Sequence, residues 1–105
     1  MKITVTQEDI DNAIAIHDAA SLVSKYVSKY DITAKCPVAL GASRSIDKNV
    51  TWGYHEGTIH EDNGEHLPIV ATTKRAEVYK FVVDFDDERF GELEPLEFEA
   101  DHRRL

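Results

Sequence analysis

KRAEVYKFVVDFDDERF, residues 74–90, holds the most concentrated apolar pattern in the chain. Val78, Phe81, Val82 and Phe85 fall at i, i+3, i+4 and i+7, one stripe of a 3.6-residue helix. Thr72 and Thr73 offer hydroxyls to cap its start, and Gly91 stands where a left-handed stop is needed. Two phenylalanine rings on one stripe make a large apolar surface, so the other elements are expected to pack against it. The far side of this helix, and the residues that follow it, are acidic.

Working outward toward the C-terminus, Glu94-Pro95 breaks direction, and Leu96, Phe98 and Ala100 then alternate with Glu97 and Glu99 as a strand with one acidic face. In the other direction, residues 67–72 are an apolar run in which Pro68 requires an edge or a strand beginning. Asp62-Asn63-Gly64 is a turn signal. Val50, Trp52 and Tyr54 alternate as a strand with an aromatic face, which Glu56-Gly57 would turn back into residues 58–61. Cys36-Pro37-Val38-Ala39-Leu40 opens a helix with proline at its first position. Gly41 costs that helix about 1 kcal/mol relative to alanine, or else marks a close backbone approach; the helix should end near Ser45.

At the N-terminus, Lys2–Val5 alternates as a short strand, and Thr6 with Asp9 resembles a capping box. Ile10, Ala13, Ile14, His17, Ala20, Val23, Val27 and Tyr30 then keep helical spacing, as one long helix or as two broken near His17. Tyr26 and Tyr30 share a face of it. The sum is an α+β domain spanning residues 1–105: a small, mainly antiparallel sheet of three to five strands, packed on one face by two to four helices.

A chain of 105 residues with 42% hydrophobic and 30% charged side chains fits one soluble domain with a single core. Its one cysteine excludes an internal disulfide and suits a reducing compartment. The start MKITVTQED lacks the apolar run of a signal peptide, and nothing approaches the roughly 20 apolar residues of a membrane span, so a cytoplasmic, non-membrane protein is expected. The net charge of −8 is concentrated: nine acids against one base between Asp84 and Asp101, while the remaining charges cancel. That asymmetry opposes direct nucleic-acid binding at this face and favours a basic partner.

Chemistry is sparse. His55, His60 and His66 lie among four carboxylates, but the spacing fits no zinc pattern, and strand parity would set His55 and His60 on opposite faces. A thiol at a helix start, as at Cys36, favours its thiolate, yet no catalytic context surrounds it. No phosphate loop is present. The expectation is a non-enzymatic protein without metal or cofactor.

Ile3-Thr4-Val5-Thr6-Gln7-Glu8-Asp9-Ile10, Cys36-Pro37-Val38-Ala39-Leu40, Leu67-Pro68, Phe81 with Phe85-Asp86, and Pro95-Leu96 with Phe98-Glu99 resemble a group of small phage and prophage accessory proteins. Residues 16–35 are a longer helical insertion than that group carries. The resemblance implies a phage setting and supplies no catalytic residues. Two expectations follow. The first is a host-protein binder, aimed at a defence component, that meets a basic surface through Asp84, Asp86, Asp87, Glu88, Glu92, Glu94, Glu97 and Glu99. The alternative is an oligomeric sponge for a nucleotide second messenger, with Arg44, Lys48, Trp52 and Tyr54 as its ligand-binding residues.

Overall fold

The computed structural model describes residues 1–21 and 36–103. Over these residues it is an α+β fold with a curled, five-stranded antiparallel sheet and three helices. In chain order they are β1 (Lys2–Val5), α1 (Gln7–Ser21), α2 (Pro37–Ile46), β2 (Asn49–Gly53), β3 (Glu56–His60), β4 (His66–Ala71), α3 (Arg75–Asp86), a 3₁₀ turn (Phe90–Glu92) and β5 (Leu96–His102). The strands run β1-β5-β4-β3-β2 across the sheet. Tyr26, Tyr30 and the choice between one and two N-terminal helices lie outside the described residues.

The helix at the centre of the sequence pattern buries the stripe expected of it: Val78, Phe81, Val82 and Phe85 are all in the core. They join Ile3 and Val5 of β1, Val50 and Trp52 of β2, Ile59 of β3, Ile69 and Ala71 of β4, and Phe98 and Ala100 of β5 in a single cluster. Every strand thus turns one parity inward, as alternation requires. Trp52 meets Phe98 edge-on, ring centroids 5.5 Å apart, and donates its indole N–H to the Tyr54 carbonyl at 2.8 Å.

The ends of this helix differ from expectation. Its N-cap is Lys74, in the left-handed region with no side-chain cap. The threonines serve the sheet instead: the Thr73 hydroxyl accepts from the Glu99 amide at 2.8 Å, and the Thr72 amide donates to the Glu99 carbonyl. At the other end the helix stops at Asp86, and the left-handed residue is Glu88 (φ 62°), three positions before Gly91. The Arg89 amide reaches the Asp84 carbonyl at 2.7 Å and the Glu88 amide the Phe85 carbonyl at 3.0 Å, the paired bonds of a Schellman motif. Glycine is the natural occupant of that position. Glu88→Gly should therefore stabilise the fold by roughly 0.5–1 kcal/mol, read as a raised melting temperature.

β5 changes partners midway. Its first half pairs with β1, from Val5↔Leu96 to Lys2↔Glu99, and its second half pairs with β4, from Ala71↔Ala100 to Ile69↔His102. β4 is consequently the central strand although it contains Pro68. The Pro68 carbonyl accepts from the Arg103 amide at 2.9 Å, so its missing N–H faces the same side, beyond the last paired residue of β5. The expected edge or strand-beginning position is therefore not the one observed: Pro68 lies inside the central strand, and its missing N–H falls where the β4–β5 ladder ends.

The turn between β2 and β3 is Tyr54-His55, two residues earlier than Glu56-Gly57, since Gly53 pairs with Glu56. Gly57 lies within β3 opposite Trp52, and a Cβ there would stand 2.3 Å from the indole Cε3. The glycine makes room for the ring. Tyr54 leaves the strand in the left-handed region (φ 54°), so it does not share the inner face with Trp52. The Asp62-Asn63-Gly64 turn forms where expected, with Gly64 at φ 88°.

Helix α2 packs on both outer strands. A Cβ at Gly41 would lie 2.8 Å from the Thr4 carbonyl, so the glycine marks a close approach of helix to β1. Ser45 Oγ accepts from the Thr4 amide and Arg44 Nη2 donates to the Thr4 carbonyl. On the other side, the Ser43 hydroxyl bonds both the amide and the carbonyl of Val50, and Cys36 Sγ approaches the Trp52 carbonyl at 3.9 Å. One helix thereby holds the two rims of the curled sheet.

Candidate functional site

The acidic segment divides into three environments. Asp84 is only 5% exposed, and Lys80 Nζ donates to its carboxylate at 2.6 Å. This pair occupies one flank of α3 and is internally satisfied. Glu97 and Glu99 project from the outer face of β5. There Lys2 Nζ lies 3.0 Å from Glu97 and the terminal ammonium 3.7 Å from Glu99. The hydrogen bond and charge of Glu97 push the Lys2 ammonium pKa up.

Asp86, Asp87 and Glu88 crowd the C-terminal end of α3, with Glu92 and Glu94 on the loop that follows. No basic residue occupies the last turn of the helix. Negative charge at a helix C-terminus works against the macrodipole. Partial burial, followed by the neighbouring Asp87 charge, raises the Asp86 carboxyl above the usual range. The loop is nevertheless anchored: Leu93 is buried, and Phe90 packs 5.4 Å from Phe85. Among the described residues, Asp86, Asp87, Glu92 and Glu94 have no ion-pair partner.

The structure gives Arg44, Lys48, Trp52 and Tyr54 separate neighbours. Arg44 Nη2 donates to Asp9 Oδ2 at 2.7 Å, and Lys48 Nζ lies 2.9 Å from Glu61 Oε2. Trp52 is 2% exposed within the core, where its face cannot stack on a ligand. Tyr54 is 52% exposed and instead stacks on Tyr79 of α3, centroids 5.1 Å apart and planes 21° from parallel.

The histidines are placed differently from the parity argument, because His55 belongs to the turn. His60 and His66 face each other directly across β3 and β4, ring centroids 4.7 Å apart, and Thr51 Oγ1 lies 3.0 Å from His60 Nε2. No group of three metal-ligating side chains gathers among the described residues. Cys36 is the N-cap of α2, its sulfur accepting from the Ala39 amide at 3.4 Å. Burial outweighs that bond and pushes the thiol up to about 11, so it is protonated at neutral pH.

Two features escaped the sequence reading. Tyr79 lies just outside the apolar stripe and is 46% exposed. His17 packs edge-on against both Phe85 and Phe90, with Nε2 3.7 Å from Glu88 Oε1, and its Nδ1 is buried without a hydrogen bond. An aromatic beside a stripe and a histidine within one were the available signals.

The capping box at α1 forms reciprocally. The Thr6 amide donates to Asp9 Oδ2 at 2.8 Å, and the Asp9 amide to Thr6 Oγ1 at 3.2 Å. Burial opposes ionisation of Asp9. The bonds from Arg44 and Thr6 outweigh it and hold the carboxyl below its usual range. Because the folded value is depressed, the stability it contributes is present above about pH 4 and lost as pH falls through the folded value. Glu97, held down chiefly by its bond from Lys2, acts in the same direction, whereas Asp86, raised, acts in the opposite one. Denaturant unfolding at neutral and acidic pH should show Asp9→Asn losing less stability on acidification than the parent.

No protein-family model, curated protein or solved structure matches the chain. Among the described residues no helix is long and apolar enough to cross a membrane.

Proposed function

We propose that this chain is a non-enzymatic binding protein that engages a basic surface on a protein partner through the acidic corner formed by Asp86, Asp87, Glu88, Glu92 and Glu94. The observation that supports the reading is the placement of these carboxylates. Asp86, Asp87 and Glu88 stand at the negative end of α3, where they oppose the helix dipole, and Glu92 and Glu94 follow on a loop anchored by buried Leu93 and by Phe90 packed against the core. Charge held rigidly where it lowers stability is explained by use elsewhere. The resemblance to phage accessory proteins makes the partner a host factor, and the acidity points to one whose surface otherwise holds nucleic acid, such as a defence component. The nucleotide-sponge reading gains no support from Arg44 and Lys48, which already bond carboxylates, or from the buried Trp52.

The test is salt-dependent capture from host extract. The quadruple variant Asp86→Asn/Asp87→Asn/Glu92→Gln/Glu94→Gln should lose most captured partner at low salt. It should also lose the sensitivity the parent shows near 0.15 M, where screening acts over about 8 Å. Glu97→Gln/Glu99→Gln, which disturbs already-neutralised acids, should behave like the parent. Equal capture by the quadruple variant at low salt would remove the acidic corner as the contact.

A further inference from the structure

Beyond the acidic corner, α3 has a flank that the core does not use. At 100° per residue, Tyr79, Val83 and Asp86 line up on one side of the helix, away from the Lys80–Asp84 pair on the other. Tyr79 and Asp86 are exposed and Val83 is half-buried. The Tyr54 ring reaches over from the β2–β3 turn and stacks on Tyr79, with His55 6.5 Å from the same ring. Among the described residues, two of the four exposed large hydrophobics are this stacked pair. Tyr54 holds its place in a backbone conformation that costs a bulky residue about 1–3 kcal/mol. Nothing in the core requires that ring.

Resting on the acidic-corner reading, we infer that the Tyr54–Tyr79 stack and Asp86 form one docking strip for an arginine-bearing basic segment of the partner. A guanidinium lies flat on an aromatic face and is attracted by its quadrupole, while a second one meets the carboxylate. Tyrosine presents a large contact area with little conformational freedom to lose, and tyrosine and arginine dominate interface hot spots. Seven helical steps take Tyr79 to Asp86, about 10 Å, which matches one three-residue turn of a polyproline II segment, whose side chains i and i+3 share a side. The preferred spacing is thus Arg-x-x-Arg in polyproline II form. Arg75, one turn before Tyr79, gives the strip a direction: it opposes a third cation at that end.

The experiment is an amide chemical-shift titration of the full chain with Gly/Ser peptides bearing Arg-x-x-Arg or Lys-x-x-Lys, and with a short single-stranded DNA. The Arg peptide should shift Tyr54, Tyr79 and Asp86 and bind several-fold tighter than the Lys peptide. Tyr79→Ser, and Tyr54→Asn, which suits the left-handed turn, should each weaken the Arg peptide about tenfold while Tyr79→Phe retains it; melting curves establish that the variants fold. If both tyrosine variants bind as the parent does, the strip is overturned and the acidic corner stands. If the quadruple acid variant binds as the parent does, the acidic corner falls. Tighter binding of the DNA than of the Arg peptide would overturn both.

Discussion

Phe81→Ala should lower stability by about 3–5 kcal/mol, a large part of the roughly 5–15 kcal/mol that holds a domain together. Phe81 is the middle of the stripe Val78-Phe81-Val82-Phe85 and is 7% exposed. Its removal opens a cavity in the cluster to which all five strands contribute, and a close-packed interior relaxes only partly into such a void. Chemical denaturation should show the midpoint moving to much lower denaturant. A loss under about 1 kcal/mol would mean that this helix does not rest on the sheet as described.

Gly57→Ala should cost about 1–3 kcal/mol, against the usual expectation that alanine improves on glycine. The new methyl would meet the Trp52 ring at 2.3 and 2.8 Å and the Thr51 carbonyl at 2.9 Å. The indole cannot swing aside without losing its edge contact with Phe98 and its bond to the Tyr54 carbonyl. Replacing the ring by a smaller side chain should relieve the clash. Relative to Trp52→Leu alone, the double variant Trp52→Leu/Gly57→Ala should lose little more. That coupling, measured as a double-mutant cycle, separates a steric cause from a general intolerance of β3.

What the sequence made legible was set by periodicity. The stripe of α3, the inward parity of Ile3, Val5, Leu96 and Phe98, the turn at Asp62-Asn63-Gly64 and the helix begun by Pro37 all follow from local spacing and turn chemistry. The errors fell where distant residues compete for the same backbone. Thr73 looks like a helix cap until the Glu99 amide, 26 positions away, claims its hydroxyl. Gly57 looks like a turn until Trp52 needs the space opposite it. Glu88 takes the left-handed position because helix register, set by the buried stripe, ends there and not at Gly91.

The candidate site was legible as composition and not as geometry. Nine acids between Asp84 and Asp101 could be counted, but counting does not show that Asp84 is buried against Lys80 or that Glu97 and Glu99 face Lys2 and the terminal ammonium. Tyr79 was marked only as an aromatic beside the apolar stripe. Its stacking on Tyr54 depends on the hairpin turn, which local spacing did not place.

The two-sided grip of α2 bears on how another chain can approach. With the Thr4 amide and carbonyl, both polar groups of Val50 and the Trp52 carbonyl engaged by side chains of the Cys36–Ser45 segment, neither outer strand offers an unbroken ladder. Strand addition by a partner, or templated stacking of a second copy into a fibril, therefore lacks its starting edge. A partner meeting these strands would have to be recognised through side chains, and the residues that close the sheet also guard the protein against its own aggregation.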